Sequence, residues 1–230
     1  MNQFFAPIIK DTIAILSEAE SLHLRVLRVK EGDQVNIVDG YGHRYSGRIS
    51  KMHKKATEVA NLTLTERAEN PPLLDIAIAP TKSNDRFEWF LEKSTELGIR
   101  NIYPLLTFHS ERKVLKLARM QKIILSAMKQ SLRLWQPTLH EMQSLDRFLA
   151  NADLLSEQNY IAHLKENTQA FTSLIQTNKS CLLMIGPEGG FSDDEIEKAE
   201  SKGFKGVSLG EKRYRTETAG MLACALFGNS

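Results

Sequence analysis

An unbroken apolar run, Cys181-Leu182-Leu183-Met184-Ile185, stops at a loop with almost no side chain, Gly186-Pro187-Glu188-Gly189-Gly190. The run reads as a buried strand. Ser192 and Glu195 then form a capping-box pattern, which predicts a helix over residues 192–202. The glycines let backbone N–H and C=O groups come close to a ligand. Pro187 stiffens the turn, and the helix that follows offers the positive end of its dipole. A glycine turn between strand and helix needs no ligand, so the case rests on its surroundings.

Those surroundings alternate strand and helix signals. Residues 73–79 read as a buried strand and 85–97 as a helix stopped by Gly98. Residues 99–106 read as a strand broken by Pro104, 115–132 as a helix, 160–164 as a strand and 170–176 as a helix. A short strand over 207–209 and a helix over 216–227 close the chain. This order implies an α/β sheet, mostly parallel, whose ligands lie at the carboxyl ends of its strands. Upstream of Asn70-Pro71-Pro72 the pattern is β: residues 24–29 alternate apolar and basic, and 35–38, 45–50 and 57–64 follow, with a hairpin turn at Asp39-Gly40. Paired prolines cannot continue a central strand. The expected division is therefore a β domain over 1–70 and an α/β domain over 71–230.

A second loop strengthens the case for a site. Leu209-Gly210 ends the 207–209 strand, and Arg215-Thr216-Glu217-Thr218-Ala219 opens the last helix, with Thr216 or Thr218 as its cap. Two glycine loops, each leading from a strand into a helix, argue for one shared site. Neither the Walker spacing nor GxGxxG is present, and Glu188 would repel a phosphate, so a neutral or cationic ligand fits better. The six histidines show no paired metal-ligand spacing, and no metal is expected. Cys181 and Cys224 sit among apolar residues and read as buried thiols of a reducing cytoplasm. No segment approaches the roughly 18 apolar residues of a membrane span.

GPEGGFS, SLG and RTETA, together with FEWFLEKSTELGI, KQSLRLWQP and HLRVLRVKEGDQVNIVDG, resemble the SPOUT class of RNA methyltransferases. The chain is most similar to the family that methylates N3 of a uridine in 16S ribosomal RNA of the small subunit. The resemblance implies an N-terminal PUA-like β-barrel domain that binds RNA, and a C-terminal α/β domain with a trefoil knot. It also implies a homodimer and S-adenosylmethionine as cofactor. By the same resemblance the cofactor is held by Leu106, Thr107, Ile185, Gly186, Pro187, Glu188, Gly189, Leu209, Gly210, Tyr214, Thr218 and Ala219. The chain departs from the family where Arg213-Tyr214 replaces two aliphatic residues, and at Lys129 and Leu132. Two other readings stay open: a related enzyme with another RNA target, and an RNA-binding module without catalysis.

Methylating uracil N3 requires the base to leave its pair and the nitrogen to lose a proton. Arg215 is the expected stabiliser of the resulting charge on the uracil oxygens. Glu217 is expected to accept the proton, to fix Arg215, or simply to pair with the helix dipole in the first turn, which is favoured over proton transfer, and His109 is a further candidate base. The net charge of only +2 announces no nucleic-acid binder, so clustering has to. Arg112, Lys113, Lys116, Arg119, Lys122, Lys129 and Arg133 occur in a stretch without a single acid. Lys113, Lys116, Arg119 and Lys122 are expected to share one helical face, with Trp135 available to stack on a base. Arg25 and Arg28, on the predicted 24–29 strand, would extend this RNA surface.

Overall fold

The computed structural model describes residues 3–69, 71–165 and 168–228. By its contacts the chain divides into two units, one of Met1–Pro71 with Met128–Gln136 and one of Pro72–Ala127 with Pro137–Ser230. The return of Met128–Gln136 to the first unit was not anticipated, and Asn70 of the expected boundary lies outside the described residues.

The first unit contains β1 (Gln3–Phe5), β2 (Ile9–Lys10), β3 (Ile13–Leu16), α1 (Glu18–Val26), β4 (Gln34–Val38), β5 (His43–Lys51) and β6 (Thr57–Arg67). Its six-stranded sheet runs β1-β4-β5-β6-β3-β2. Phe4, Leu16, Leu24, Ile37, Ile49 and Val59 pack into one core. The expected strand over 24–29 is instead the end of α1 at Val26 and the turn that follows it. Ser17 caps that helix by accepting from Glu20 N at 3.3 Å, and Glu18 and Glu20 supply first-turn charge. The apolar-basic alternation there was too short to outweigh the cap. Arg25 is therefore helical, and Arg28 follows in the left-handed region at φ 57°.

The second unit opens with β7 (Leu74–Ile78), α2 (Asn84–Leu97), β8 (Asn101–Leu106) and α3 (Leu117–Gln130), whose last three residues count with the first unit. Next come β9 (Thr138–Leu139), β10 (Gln143–Ser144), α4 (Leu145–Leu149), β11 (Gln158–Ala162), β12 (Gln169–Ala170) and α5 (Phe171–Leu174). β13 (Cys181–Ile185), α6 (Asp193–Ser201), β14 (Lys205–Ser208) and α7 (Thr216–Gly228) complete it. The sheet order is β10-β8-β7-β13-β11-β14-β12, with β9 also on β8, and every pairing is parallel. Alternate residues of β13 enter opposite cores. Cys181, Leu183 and Ile185 join Phe87, Phe90, Phe171 and Ala223 on one face, while Leu182 and Met184 join Phe148, Phe191 and Ile196 on the other. The five-residue apolar run is thus the two-sided signature of a strand covered by helices above and below. Burial holds the Cys181 thiol up at about 12 and raises Cys224 as well, as inert core thiols.

Pro104 does not break β8. Ile102 accepts from His140 N on the side of β9 and β10, and the nitrogen two residues on faces the same way, between the registers of those two short strands. No ladder bond is lost there. On α7, a Cβ at Gly220 would lie 2.5 Å from Cε2 of the buried Phe90, so only glycine lets α7 close on α2. Gly220→Ala is expected to cost about 1–3 kcal/mol. That lowers the melting temperature by roughly 2–10 °C in a thermal melt; an unchanged midpoint would mean that Phe90 moves aside freely.

Candidate active site

Three neighbouring strands of the second unit, β13, β11 and β14, send their carboxyl-end loops into one cavity of about 360 Å³. Ala162 to Lys165 line it after β11, Ile185 to Glu188 with Gly190 and Phe191 after β13, and Leu209, Gly210 and Lys212 to Tyr214 after β14. Thr216 and Ala219 of α7 and Asp193 and Ile196 of α6 close it. The volume is that of a small-molecule site.

The loops are held to one another by specific bonds. Thr216 Oγ1 donates to Gly186 O at 3.0 Å, both groups being buried, so this hydroxyl joins the two glycine loops rather than capping its own helix. Arg213 Nη2 reaches Glu188 O at 3.4 Å. Lys165 Nζ meets Asp193 Oδ1 at 2.7 Å and pulls that carboxyl below its usual range. Gly190 N donates to Pro187 O at 2.8 Å and folds the loop back on itself. A Cβ on Gly186 would then meet backbone atoms of Gly190 and Phe191 at 3.1 Å. Gly210 sits at φ 147° against the Tyr214 hydroxyl. The Arg213-Tyr214 departure therefore serves the site: one side chain ties the loops and the other lies over Gly210.

The second unit's loop after β8 backs this arrangement. Glu195 completes the capping box by accepting from Ser192 N at 2.9 Å, and its other oxygen accepts from Phe108 N at 2.8 Å. Thr107 and Ser110 hydroxyls lie 2.9 Å apart. His109 Nδ1 is 3.1 Å from Gly190 O, and the α-carbon of Gly189 lies against the His109 side chain. Arg112 donates to the backbone carbonyls of Thr81 at 2.8 Å and of Lys82.

Of the sequence candidates, Ile185, Gly186, Pro187, Glu188, Leu209, Gly210, Tyr214 and Ala219 line the cavity. Leu106, Thr107, Gly189 and Thr218 do not; Thr107 is bonded to Ser110, and Gly189 lies against His109. Arg215 is exposed between two lining residues, and its guanidinium makes no hydrogen bond or ion pair among the described residues. Glu217 does not fix Arg215. It is buried at the first turn of α7, with Oε1 3.7 Å from Arg86 Nε of α2 and Oε2 without a hydrogen-bond partner.

The sequence reading missed His163 and Lys165, which line the cavity. His163 Nδ1 accepts from Lys165 N at 3.3 Å, so the neutral ring carries its proton on Nε2, which is buried without a hydrogen-bond partner. Burial lowers its pKa and keeps it neutral near pH 7. Adjacency of β11 and β13 would have flagged both residues, but strand order is not written in a sequence.

The basic candidates are dispersed. α3 begins at Leu117, so Lys113 and Lys116 precede it and share no helical face with Arg119 and Lys122. Arg119 pairs with Glu88 at 2.7 Å, and Lys129 with the buried Glu20 at 2.5 Å. Trp135 is seated on the α-carbon of Gly42, where a Cβ would lie 2.7 Å from its ring. It is a packing residue of the first unit, not a free platform. Lys113, Lys116, Lys122 and Arg133 are exposed.

The donor set fits S-adenosylmethionine. The walls of Ile185, Leu209, Phe191, Ile196 and Ala219 are apolar, and the polar part of the lining carries both signs of charge, Lys165, Lys212 and Arg213 beside Glu188 and Asp193.

The chain matches the RNA methyltransferase domain over residues 68–228 and the RNA methyltransferase PUA domain over 16–59. A ribosomal RNA small subunit methyltransferase E from Synechocystis is 30% identical, over 95% of this chain and 73% of the relative. The crystal structure of a probable rRNA-methyltransferase from Porphyromonas gingivalis superposes with a TM-score of 0.86 at 36% identity, covering 98% of this chain and 96% of that one. A ribosomal RNA small subunit methyltransferase E from Neisseria gonorrhoeae, bound to S-adenosyl methionine, gives 0.81 at 28% identity, covering 98% and 95%. The two-part architecture, a PUA-like barrel-type domain followed by a SPOUT-like α/β domain, is shared with these structures, and the expected trefoil knot is consistent with them.

Proposed function

Because the chain belongs to the RNA methyltransferase family, we propose that it transfers a methyl group from S-adenosylmethionine to N3 of a uridine in 16S ribosomal RNA. The observation that carries this reading is the cavity built from two glycine loops joined by the Thr216–Gly186 bond. When bound, the cofactor supplies an electrophilic methyl group on a cationic sulphur. The chain's own part is positional and electrostatic. The glycine loops bring backbone close around a ligand, and the apolar walls exclude water, which favours a step that cancels charge. Holding the reactants in line can account for roughly 7–11 kcal/mol of the barrier.

Arg215 is the group assigned to the uracil oxygens as N3 loses its proton. Glu217, buried against Arg86, is assigned to holding the start of α7 rather than to proton transfer. Two copies of the chain are expected to pair, with the half-buried Met221, Leu222 and Ala225 of α7 as the apolar surface; light scattering on the purified protein tests this. Among the described residues no helix is long and apolar enough to cross a membrane, and a cytoplasmic site of action follows from the proposed substrate.

The reading also needs a surface for RNA. In the first unit, Met52 N donates to Glu31 Oε1 at 2.7 Å and Thr57 N to Ser21 Oγ at 2.9 Å, so the β5–β6 tip lies against α1 and the turn after it. That gathers Arg25, Arg28 and Lys30 with Lys51, Lys54 and Lys55, all exposed and none ion-paired among the described residues. Replacing Lys51, Lys54 and Lys55 together with alanine is expected to lower the slope of log K against log salt by about 2 if each meets one phosphate. A filter-binding titration from low to high salt measures this, and an unaltered slope removes the tip from the interface.

The reaction is tested by mass mapping of nucleosides in ribosomal RNA from a strain lacking the gene. Loss of N3-methyluridine alone is the expected result. Loss of a ribose methyl, or no change, rejects the reading.

A further inference from the structure

Phe108 has the most exposed aromatic side chain among the described residues, at 78%, yet its backbone is among the best anchored. Its N–H is held by Glu195 Oε1 at 2.8 Å, a carboxylate that is itself buried and whose second oxygen caps α6. Buried Thr107 and Ser110 fix the turn on either side through their hydroxyls and through Ser110 N to Thr107 O at 3.1 Å. The ring of Phe108 rests edge-on against His109, with centroids 5.0 Å apart, and His109 in turn meets Gly190, a lining residue of the cavity. An apolar ring displayed to water on an ordered loop does nothing for the fold, because it buries little there.

We propose that Phe108 is a stacking platform for an unpaired base of the RNA strand that enters the cavity, and so a substrate-positioning residue. This inference rests on the methyltransferase reading above. A base taken from its stack loses a neighbour on each face, and an aromatic ring replaces one irrespective of sequence. The charge around the ring suits a nucleic acid: exposed Lys113 and Lys116 follow on the same loop without an ion-pair partner among the described residues, while Glu111 on that loop is already bound to Lys82 at 2.8 Å, and the Glu195 carboxylate beneath the turn is buried and engaged by backbone N–H groups. The fixed backbone matters as much as the ring. A platform that is already ordered gives up little conformational freedom when a base arrives.

The test uses the full-length protein, S-adenosylmethionine, and small ribosomal subunits from a strain lacking the gene. Phe108→Ala is expected to raise KM for the subunit roughly tenfold, the effect of losing one stacked base. Cofactor affinity, by calorimetry, should stay within about twofold, since the chain places Phe108 outside the cavity lining. Phe108→Trp should restore KM, and Phe108→Leu should not. An unchanged KM in Phe108→Ala, a Leu variant as good as Trp, or an equal loss of cofactor affinity each overturns the proposal; the second would indicate an apolar protein contact and the third a structural role. If the unaltered protein methylates no subunit, the functional reading falls with it. If it does and Phe108→Ala is indifferent, only the platform falls.

Discussion

Arg215→Ala lowers kcat by roughly 10²–10³-fold, the usual consequence of removing a charge stabiliser from a reaction centre, and leaves cofactor affinity nearly unaltered. The expectation follows from where the residue sits. Tyr214 and Thr216 on either side line the cavity, while Arg215 is exposed and has no ion-pair partner among the described residues. A cation left unpaired at the rim contributes little to stability, so its removal should cost the fold nothing measurable in a thermal melt. Single-turnover rates with saturating cofactor, set beside calorimetric binding, separate the two effects. Equal losses in rate and cofactor affinity would make Arg215 a cofactor residue instead.

Thr216→Val is the complementary case, a change felt first in the fold and then in binding. It keeps the β-branched shape and removes the donor to Gly186 O at 3.0 Å. Thr216 is 4% exposed and Gly186 is buried, so water cannot replace the lost bond. Leaving that carbonyl unsatisfied costs about 1–3 kcal/mol. The bond is also the direct link between the GPEGG turn and the start of α7. Its loss should weaken cofactor binding on the order of tenfold, if about 1.4 kcal/mol of the cost falls on the bound state. Urea melts and calorimetry measure the two parts, and Thr216→Ser, which retains the hydroxyl, should recover both. A valine variant with unaltered affinity would show that the loops keep their positions without this bond.

Much of the second unit was legible because its signals are local. β13 matches the apolar run residue for residue, and α6 starts where the Ser192–Glu195 box puts it. Gly98 ends α2 in the left-handed region at φ 93°, as its place after the apolar pattern suggested. Errors came where local cues conflicted or were incomplete. The segment after Ser17 carries both a cap and an alternating pattern, and the cap won. Lys113 and Lys116 looked helical by spacing, but α3 starts only at Leu117, and no helix or strand lies between it and the end of β8 at Leu106. Trp135 looked free because nothing nearby in sequence claims it; Gly42, far away along the chain, does. Arg119 and Lys129 looked like part of a phosphate-binding stripe until Glu88 and Glu20 proved to be their partners.

By itself the sequence determined the strand–loop–helix grammar of the site: which residues turn, which cap, and which must be glycine to let backbone approach. These follow from steric limits on φ and ψ and from hydrogen bonds a few residues long. Only the tertiary structure decided which loops meet. The order β13-β11-β14 brings His163 and Lys165 to the same cavity as the two glycine loops, the packing of α7 on α2 turns Glu217 toward Arg86, and the loop after β8 sets His109 against Gly190. Strand order reflects a global minimum of burial and loop closure, and no short window of residues encodes it.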